Sequence, residues 1–290
     1  MPTARCSMPD TAASDGAEPA IRRAVPFRAI PFRAIPFRGG GFAPQPRRAA
    51  PLVAFIAIVA LWQAAIALGL LNPVFLPSPW SIALALRDLV VSGELARHLA
   101  ASLSRIAGGW AVGTLCGLAV GLAMGLFSLA RGIGLPVVSA LFPIPKIALL
   151  PLFILWFGIG EPSKVAVIAL GVFFPTVIAT FSAVDGVPRS LIRMAQGFGL
   201  PFAAIVRKVV LPGALPGILA GFRISVSIAL ILVVAAEMIG ARVGIGAFVL
   251  SAGNLMQTDQ LMAGVATLSL LGLAFGLALS ALEKWLLRWR

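Results

Sequence analysis

The sequence predicts an all-α integral membrane protein with about six transmembrane helices, on the basis of three observations. Of the 290 residues, 60% are hydrophobic and only 11% are charged, against roughly a quarter charged in ordinary soluble domains. The apolar residues form long charge-free blocks, which is typical of helices surrounded by lipid. Most Lys and Arg residues beyond the first 50 positions flank these blocks, so the net charge of +13 indicates membrane orientation and not nucleic-acid binding.

Residues 1–50 form the first of two predicted domains, a basic Pro/Arg-rich tail that we expect to be disordered and cytoplasmic. Its stretch VPFRAIPFRAIPFRGG repeats the unit PFRAI every five residues, with proline too frequent for a helix. No apolar block follows its charges before Pro51, so we expect no secretory signal peptide. The tail is either an extension without a separate role or a segment that adheres to the membrane surface. The second predicted domain, 51–290, is the membrane domain.

The first predicted span covers Leu52 to Leu71, an uncharged stretch long enough to cross the roughly 30 Å hydrocarbon core. Residues 72–98 contain prolines, an amphipathic stretch and both charge signs, which predicts a loop at the membrane surface. We expect His98 to be exposed there, because no Cys or carboxylate stands near it at ligand spacing. The second span, 104–129, has a row of glycines that predicts a close helix contact.

The third span, about 134–157, contains several prolines and Lys146, which an ideal lipid-exposed helix would not carry. Proline leaves backbone carbonyls without their helical donors, and a buried ammonium is costly. This helix should therefore be kinked and should face other protein or a water-filled path. Lys146 is accordingly a candidate path or gate residue, with a structural role as the alternative.

Three further spans complete the predicted bundle. They cover Val165 to about Val184, about Leu215 to Ile239, and Gln260 to Leu282. The fifth span carries Arg223 and Glu237, and ionisable residues inside a membrane are functional candidates by default. Arg223 could instead snorkel to the cytoplasmic face or form a salt bridge with the neighbouring loop, and Glu237 could cap or pair at a helix interface.

With six spans both termini lie on one side, and most of the Lys and Arg residues lie on that side as well. The opposite side has only Arg87, Arg97, Lys164 and Arg242 as clear members. The positive-inside rule therefore predicts that both termini and residues 185–216 are cytoplasmic.

Residues 185–216 form the long cytoplasmic loop inside the predicted bundle. Pro188 suits the start of a helix and Gly199 suits its end. From Pro201 onwards, apolar residues recur at helical spacing while Arg207 and Lys208 point elsewhere. The loop should thus form two short helices joined at a glycine elbow. A helix lying on lipid needs a continuous apolar stripe, so the elbow favours a socket on a soluble partner.

The stretch RMAQGFGLPFAAIVRKVVLPG (193–213) resembles the EAA loop of binding-protein-dependent ABC importer permeases. The core of that motif is E-A-A-x-x-x-G, followed after about nine residues by I-x-L-P. The motif's positions fall on Ala195, Gly199, Val209, Leu211 and Pro212. Arg193 and Met194 stand where the motif has Glu and its first Ala.

The resemblance extends to about residues 52–287. The stretches PKIALLPLFILWFGIGEPSKVAVIALGVFFP (145–175), GFRISVSIALILVVAAEMIG (221–240) and GIGAFVL (244–250) are similar to the nitrate, sulfonate and taurine branch of these permeases. The resemblance implies a type I ABC importer permease fold, in which 185–216 is a coupling loop that docks into a cytoplasmic ATPase. The implied coupling residues are Arg193, Ala195, Gly199, Phe202, Val209, Leu211 and Pro212.

The resemblance also implies the partners and the location. The chain would form a homodimer in the lipid of the bacterial inner membrane and would work with two ABC ATPase subunits, which bind the ATP and Mg, and with a periplasmic substrate-binding protein. It would form the path for a small anionic solute such as a sulfonate, taurine or nitrate. Lys146, Arg223 and Glu237 are the candidate path or gate residues.

The sequence offers little support for an enzyme. It contains no G-x-x-x-x-G-K-[ST] phosphate loop, no cluster of metal ligands and no serine with an evident base, so we expect no cofactor and no metal. A secondary transporter or channel without an ATPase is the main alternative, and it should show internal repeats and paired intramembrane acids. A membrane scaffold without transport activity is a further alternative.

Overall fold

The computed structural model describes residues 50–288, with side chains from Leu52 onwards. The predicted tail lies outside the described residues except for Ala50. The described elements are all helical, in agreement with the predicted fold class. They are α1 (Ala50–Ala67), α2 (Pro79–Val91), α3 (Glu94–Leu126), α4 (Ser128–Leu141), a 3-10 turn (Lys146–Leu149), α5 (Leu150–Phe157), α6 (Glu161–Asp185), α7 (Arg189–Gly197), α8 (Phe202–Ile205), a π turn (Val206–Val210), α9 (Leu211–Gly240), α10 (Ile245–Asn254) and α11 (Thr258–Leu286).

Helices α3 and α6 pack side by side through the predicted glycine row. A Cβ on Gly117 would lie 2.8 Å from the carbonyl oxygen of Phe173, and a Cβ on Gly121 would lie 2.6 Å from Cβ of Thr180. These contacts advance in the same direction along both chains, so the two helices run parallel. Only glycine allows so close an approach, and the predicted small-residue face is confirmed.

Helix α9 packs on α6 in the opposite direction. Gly217 faces Ala183, and Gly171 of α6 faces Leu232, so the contacts advance along one helix and retreat along the other. Helix α6 therefore lies between α3 and α9, and its residues Val167, Ile168, Val172 and Val177 are fully buried. These three helices form the centre of the described bundle.

Six spans are not confirmed by the described residues. Four helical runs are long and apolar enough to cross a membrane, namely α3, α6, the continuous run Phe202–Gly240 and α11, and a fifth results if the bent pair α4 and α5 is one span. The predicted first span ends as a helix at Ala67, and its apolar part, Leu52–Ala67, is shorter than these. A turn with Gly69 at φ +71° follows it.

The third predicted span is broken more sharply than a kink. Helix α4 and the run Lys146–Phe157 meet at 87°. The break contains Pro143 and Pro145, which lack backbone N–H groups and therefore cannot continue the helical hydrogen bonds of α4. The prolines thus place the 3-10 turn and Lys146 at a corner of the chain.

The surface loop expected at 72–98 is largely helical. Ser78 caps α2 by accepting a hydrogen bond from the backbone nitrogen of Ser81 at 3.0 Å, and α3 begins at Glu94 after Gly93, which has φ +76°. The second span therefore starts ten residues earlier than Ser104. This earlier start changes the position of His98, as described below.

Candidate functional site

The loop between α6 and α9 contains the predicted glycine elbow. Helix α7 ends at Gly197, and Gly199 has φ +70°, a conformation in which a side chain is strained. The N–H of Gly199 donates to the Gln196 carbonyl at 2.9 Å, and that of Leu200 donates to the Ala195 carbonyl at 3.2 Å. These bonds satisfy the last carbonyls of α7, as glycine-terminated helices do.

The second helix of the loop is not a separate short helix. Helix α8 continues through the π turn into α9, so that Phe202–Gly240 is one helical run of 39 residues. Pro212 lacks an N–H and its ring crowds the carbonyl four residues earlier, and the wider π turn just before α9 accommodates this. Val209, Leu211 and Pro212 of the predicted motif therefore lie where the loop joins the membrane helix.

One face of the loop is anchored to the bundle. Ala195, Ile205 and Val210 are buried in a cluster with Val187 and Ile218. A cavity of about 240 Å³ remains behind α7, between this loop and the ends of α3 and α6. The loop is thus held to the bundle by an apolar cluster but is not packed against it over its whole length.

The other face of the loop exposes large apolar side chains. Phe198 is 78% exposed, and Leu191 and Met194, which line the same hollow as Phe198, are exposed as well. Phe202 is also exposed, but it lines the cavity behind α7. We call Leu191, Met194 and Phe198 the elbow surface. Arg193, Arg207 and Lys208 are also exposed on the loop. Exposed apolar residues rimmed by charges mark interaction sites in proteins.

A buried polar network joins the central helices at the end away from the elbow loop. Arg105 of α3 binds Glu161 of α6 with two hydrogen bonds, Nε to Oε2 at 2.5 Å and Nη2 to Oε1 at 2.7 Å. Its Nη1 donates to Oε1 of Glu237 at 2.6 Å and to the Val243 carbonyl at 2.7 Å. We call Ser102, Arg105, Glu161 and Glu237 the Arg105 network.

Glu237 is fully enclosed in this network. Ser102 Oγ donates to Oε1 at 2.8 Å, and the backbone N–H of Gly246 donates to Oε2 at 2.8 Å. Gly244 passes directly beside the ion pair at φ +145°, where a Cβ would lie 2.6 Å from Nη1 of Arg105. The network therefore fixes the chain between α9 and α10 against α3.

His98 is buried, so the predicted exposure of this residue is wrong. It lies on α3, and its Nδ1 is 3.0 Å from the backbone nitrogen of Gly244 and 2.9 Å from the carbonyl oxygen of the same residue. The earlier start of α3 turns His98 toward the chain after α9. It lines the side of the Arg105 network that faces Gly244.

The three candidate path residues lie apart from one another. Glu237 is in the Arg105 network. Arg223 donates from Nη2 to Glu283 Oε2 at 2.9 Å and to Ser280 Oγ at 3.2 Å. Its ion-pair partner is thus on α11 and not in the loop, where the sequence suggested a salt bridge. Lys146 stands at the corner between α4 and the 3-10 turn, where Nζ donates to the carbonyls of Leu141, at 3.1 Å, and Phe142.

Sequence reasoning missed Ser102, Arg105 and Glu161. Arg105 stands at the edge of an apolar block, where a cation is normally a flanking charge, and Glu161 stands in a turn. The signal that could have found them is Glu237, since a carboxylate inside a span requires a cation on another helix. Among residues 50–288 no group of three or more His, Cys, Asp or Glu could hold a metal ion.

The sequence is similar to known transport proteins. The family model described as "Binding-protein-dependent transport system inner membrane component" matches residues 113–290. The taurine transport system permease protein TauC of Escherichia coli K12 is 38% identical over 237 residues, which are 80% of this chain and 86% of TauC. The putative aliphatic sulfonates transport permease protein SsuC of Bacillus subtilis 168 is 39% identical over 234 residues, 80% of this chain and 84% of SsuC.

The fold is also similar to a solved structure. An inward facing conformation of the MetNI methionine ABC transporter contains a chain with a TM-score of 0.60 and 21% identity, and the match covers 68% of this chain and 97% of that chain. At this identity the similarity is one of fold alone.

Proposed function

The chain belongs to the inner membrane components of binding-protein-dependent transport systems, and we propose that it forms the path of an ATP-driven importer for a small sulfonate-type anion. Membership in this family makes it a multi-pass transport subunit of the inner membrane and not an enzyme. The solute is proposed from the names of the two relatives, which transport taurine and aliphatic sulfonates. A secondary transporter without an ATPase is disfavoured by the family.

The observation that supports energy coupling is the elbow surface. Its exposed Met194 and Phe198 form an apolar knob on a helix-turn-helix, and such a knob gains free energy by entering a groove on a partner. The partner is a cytoplasmic ATPase subunit that binds ATP and Mg. Arg193 is exposed beside the knob, where it can contact acidic groups of the same partner.

The join between the loop and α9 supports transmission of force. Phe202–Gly240 is continuous and roughly 58 Å long at 1.5 Å per residue. One end, at Phe202, follows directly on the elbow, and the other end carries Glu237 of the Arg105 network. A displacement of the elbow by the ATPase therefore moves a helix that reaches the opposite end of the bundle. Gly199 is the hinge, and Ala195, Val209, Leu211 and Pro212 connect it to the bundle.

We propose that the loop and both termini face the cytoplasm. Both ends of the described bundle expose cations, but the elbow end exposes more of them. The elbow end has Arg131, Arg189, Arg193, Arg207 and Lys208, whereas the other end has Arg87, Arg97 and Arg242 exposed and Lys164 buried. An excess of cations favours the cytoplasmic side. A periplasmic binding protein would then deliver the solute at the end that holds the Arg105 network, and a second copy of the chain would complete the path.

The path role of the candidate residues is part of this proposal. Among the three, Lys146 is best suited, because Arg223 and Glu237 already have ion-pair partners within the chain. For those two residues a path role stays a prediction, and their contacts give them a structural role as well.

A co-purification experiment tests the coupling role. The affinity-tagged chain is purified in mild detergent from its native membrane, and the amount of P-loop ATPase recovered with it is measured. Phe198→Asp should remove most of the ATPase, because a charge replaces the most exposed side chain of the elbow surface. Ile159→Asp is the matched control, since Ile159 is also exposed but lies in the turn before α6, at the other end of the bundle.

The outcomes are distinct. Recovery of ATPase with Ile159→Asp and its loss with Phe198→Asp would support the proposal. Equal recovery with both variants would show that the elbow surface is not the docking site. Absence of ATPase from the unsubstituted chain, under conditions that retain its oligomer, would favour a secondary transporter over an ATP-driven importer.

A further inference from the structure

Lys146 lies beside the middle of the bundle. Its Nζ is 4.7 Å from the ring centre of Phe174, which stands about halfway along α6, Glu161–Asp185. The ion pair of Arg105 with Glu161 lies at one end of α6, and the ion pair of Arg131 with Asp185 lies at the other. Lys146 therefore places a positive charge midway between these two ion pairs, at a depth that neither of them reaches.

The charge of Lys146 is not neutralised within the described chain. Two carbonyl oxygens, of Leu141 and Phe142, accept hydrogen bonds from its ammonium group. None of the described ion pairs includes Lys146. An ammonium has three N–H donors, so one donor and the net charge remain for another group. At this depth an unneutralised cation is costly unless it faces water, an anion or other protein.

The corner around Lys146 is open. Leu141, Phe142 and Ile144 are exposed, so the chain does not enclose the ammonium. The rings of Phe142 and Phe174 lie 5.4 Å and 4.7 Å from Nζ and form apolar walls beside it. A cation between two aromatic walls suits a small organic anion, whose oxygens can reach the ammonium while its carbon atoms contact the rings.

We propose, on the basis of the function proposed above, that Lys146 binds the sulfonate group of the solute as it crosses the membrane. The carbonyls of Leu141 and Phe142 hold the ammonium at the corner, and the broken helix gives the anion access to it. The bound anion supplies the negative charge that the chain lacks at this depth. Lys146 is thus a residue that selects anions within the path, after the binding protein has made its own selection.

The structural alternative is that Lys146 only caps the end of α4. An ammonium near the last carbonyls of a helix is stabilising without any ligand. The two roles differ in what they require of the side chain. Capping requires hydrogen-bond donors, whereas anion binding requires the positive charge.

The test uses the complete transporter, with its ATPases and binding protein, reconstituted in proteoliposomes. ATP-dependent uptake of taurine and of ethanesulfonate is measured for the unsubstituted chain, Lys146→Arg and Lys146→Gln. Gln keeps donors for the two carbonyls but has no charge. Uptake should fall about tenfold or more with Lys146→Gln and should change far less with Lys146→Arg. ATP hydrolysis stimulated by the loaded binding protein should persist in both variants.

A second variant separates charge from shape. Lys146→Cys is made in a chain in which Cys6 and Cys116 are replaced by Ser, and it is treated with a methanethiosulfonate that transfers either an aminoethylthio group or only a methylthio group. In each reaction the cysteine thiolate forms a disulfide bond with the transferred sulfur, the S–S bond of the reagent breaks, and methanesulfinate leaves. Restoration of uptake by the aminoethyl group alone supports anion binding. Equal effects of the two groups would overturn it.

The remaining outcomes distinguish the two proposals. Normal uptake by Lys146→Gln, with active uptake by the unsubstituted chain, would overturn the Lys146 assignment and leave the transport function intact. Failure of the unsubstituted chain to import either sulfonate, although ATP hydrolysis responds to the binding protein, would overturn the proposed solute and the assigned ligand together.

Discussion

At one end of the central helices, Arg105 and Glu237 bury their charges within a set of short hydrogen bonds, and Glu161 joins them from a more exposed position. At the other end, Met194 and Phe198 expose apolar side chains to the surroundings. The first arrangement satisfies its groups inside the chain, and the second leaves apolar surface without a partner in it. The difference indicates that the Arg105 network serves to hold helices together and that the elbow surface serves to bind another molecule.

The two ends also differ in how tightly they are packed. Gly244 leaves no room for a Cβ beside Arg105, whereas a Cβ on Gly199 would meet nothing within 4 Å. A cavity of about 240 Å³ lies behind the elbow loop. The tightly packed network end can therefore stay in place while the elbow end, which has a cavity behind it, is displaced.

The largest effect on stability should come from Glu237→Ala. The side chain of Glu237 is 0% exposed, and its removal takes the acceptor from Ser102 Oγ and from the Gly246 N–H and the buried carboxylate from Arg105. Breaking a buried ion pair in this way costs about 3–5 kcal/mol. We expect little folded protein, measured as a loss of the monodisperse peak in detergent size-exclusion chromatography and as a lowered melting temperature.

Glu161→Ala is the matched control for that prediction, because it removes a carboxylate from the same Arg105. The Glu161 side chain is 59% exposed, so water can replace it. We expect a cost of at most about 1 kcal/mol, as for other exposed pairs. Equal destabilisation by the two substitutions would contradict the idea that the ion pair of Arg105 with buried Glu237 contributes most of the network's stability.

A pair of glycine substitutions compares the two ends directly. Gly244→Ala and Gly199→Ala both place a methyl group at positive φ, which alone costs roughly 1–2 kcal/mol. At Gly244 the methyl group also collides with Arg105 and Glu237, so this variant should melt at a clearly lower temperature than Gly199→Ala. The reverse order would show that the elbow, and not the network, is the more constrained end.

Gly199→Ala should instead reduce coupling. Strain at the elbow changes the angle between α7 and the helical run that begins at Phe202, and therefore the fit of the elbow surface to its partner. We expect a lower rate of ATP-driven uptake per transporter, with assembly retained and the melting temperature lowered only as far as the strain at positive φ requires. Uptake at the unsubstituted rate would contradict the hinge role of Gly199.

The smallest effect on fold should come from Phe198→Ala, which removes an exposed ring. Its melting temperature should stay within about 2 °C of the unsubstituted chain, since exposed substitutions rarely exceed 0.5 kcal/mol. Its affinity for the ATPase should nevertheless fall about tenfold or more, as for central residues of interfaces, in a titration by microscale thermophoresis. An affinity that stays unchanged would remove Phe198 from the interface.

The sequence predicted the parts of this account that depend on local chemistry. The glycine row of α3, the break at Pro143 and Pro145 and the elbow at Gly199 each follow from what these residue types do to a backbone. The EAA-like stretch gave the position of the loop. The functions of Lys146, Arg223, Glu237 and the motif residues stay predictions until they are measured.

The parts that the sequence did not predict depend on distant contacts. Arg105 lies 56 residues from Glu161 and 132 residues from Glu237, and only the packing of α3 with both α6 and α9 brings them together. The burial of His98 depends on the start of α3 at Glu94. The charged residues of 87–98 predicted a surface loop there instead of the first turns of a helix. The continuity of α8 with α9 depends on a π turn that no local pattern announces.

A cross-linking experiment tests the central claim, that the elbow surface and not the network end contacts the ATPase. Phe198 and Ile159 are replaced, one at a time, by a photoreactive amino acid in cells that express the whole transporter, and adducts are identified by mass spectrometry. We predict an ATPase adduct from position 198 and none from position 159. An ATPase adduct from position 159, or its absence from position 198 while the complex remains assembled, would contradict the account.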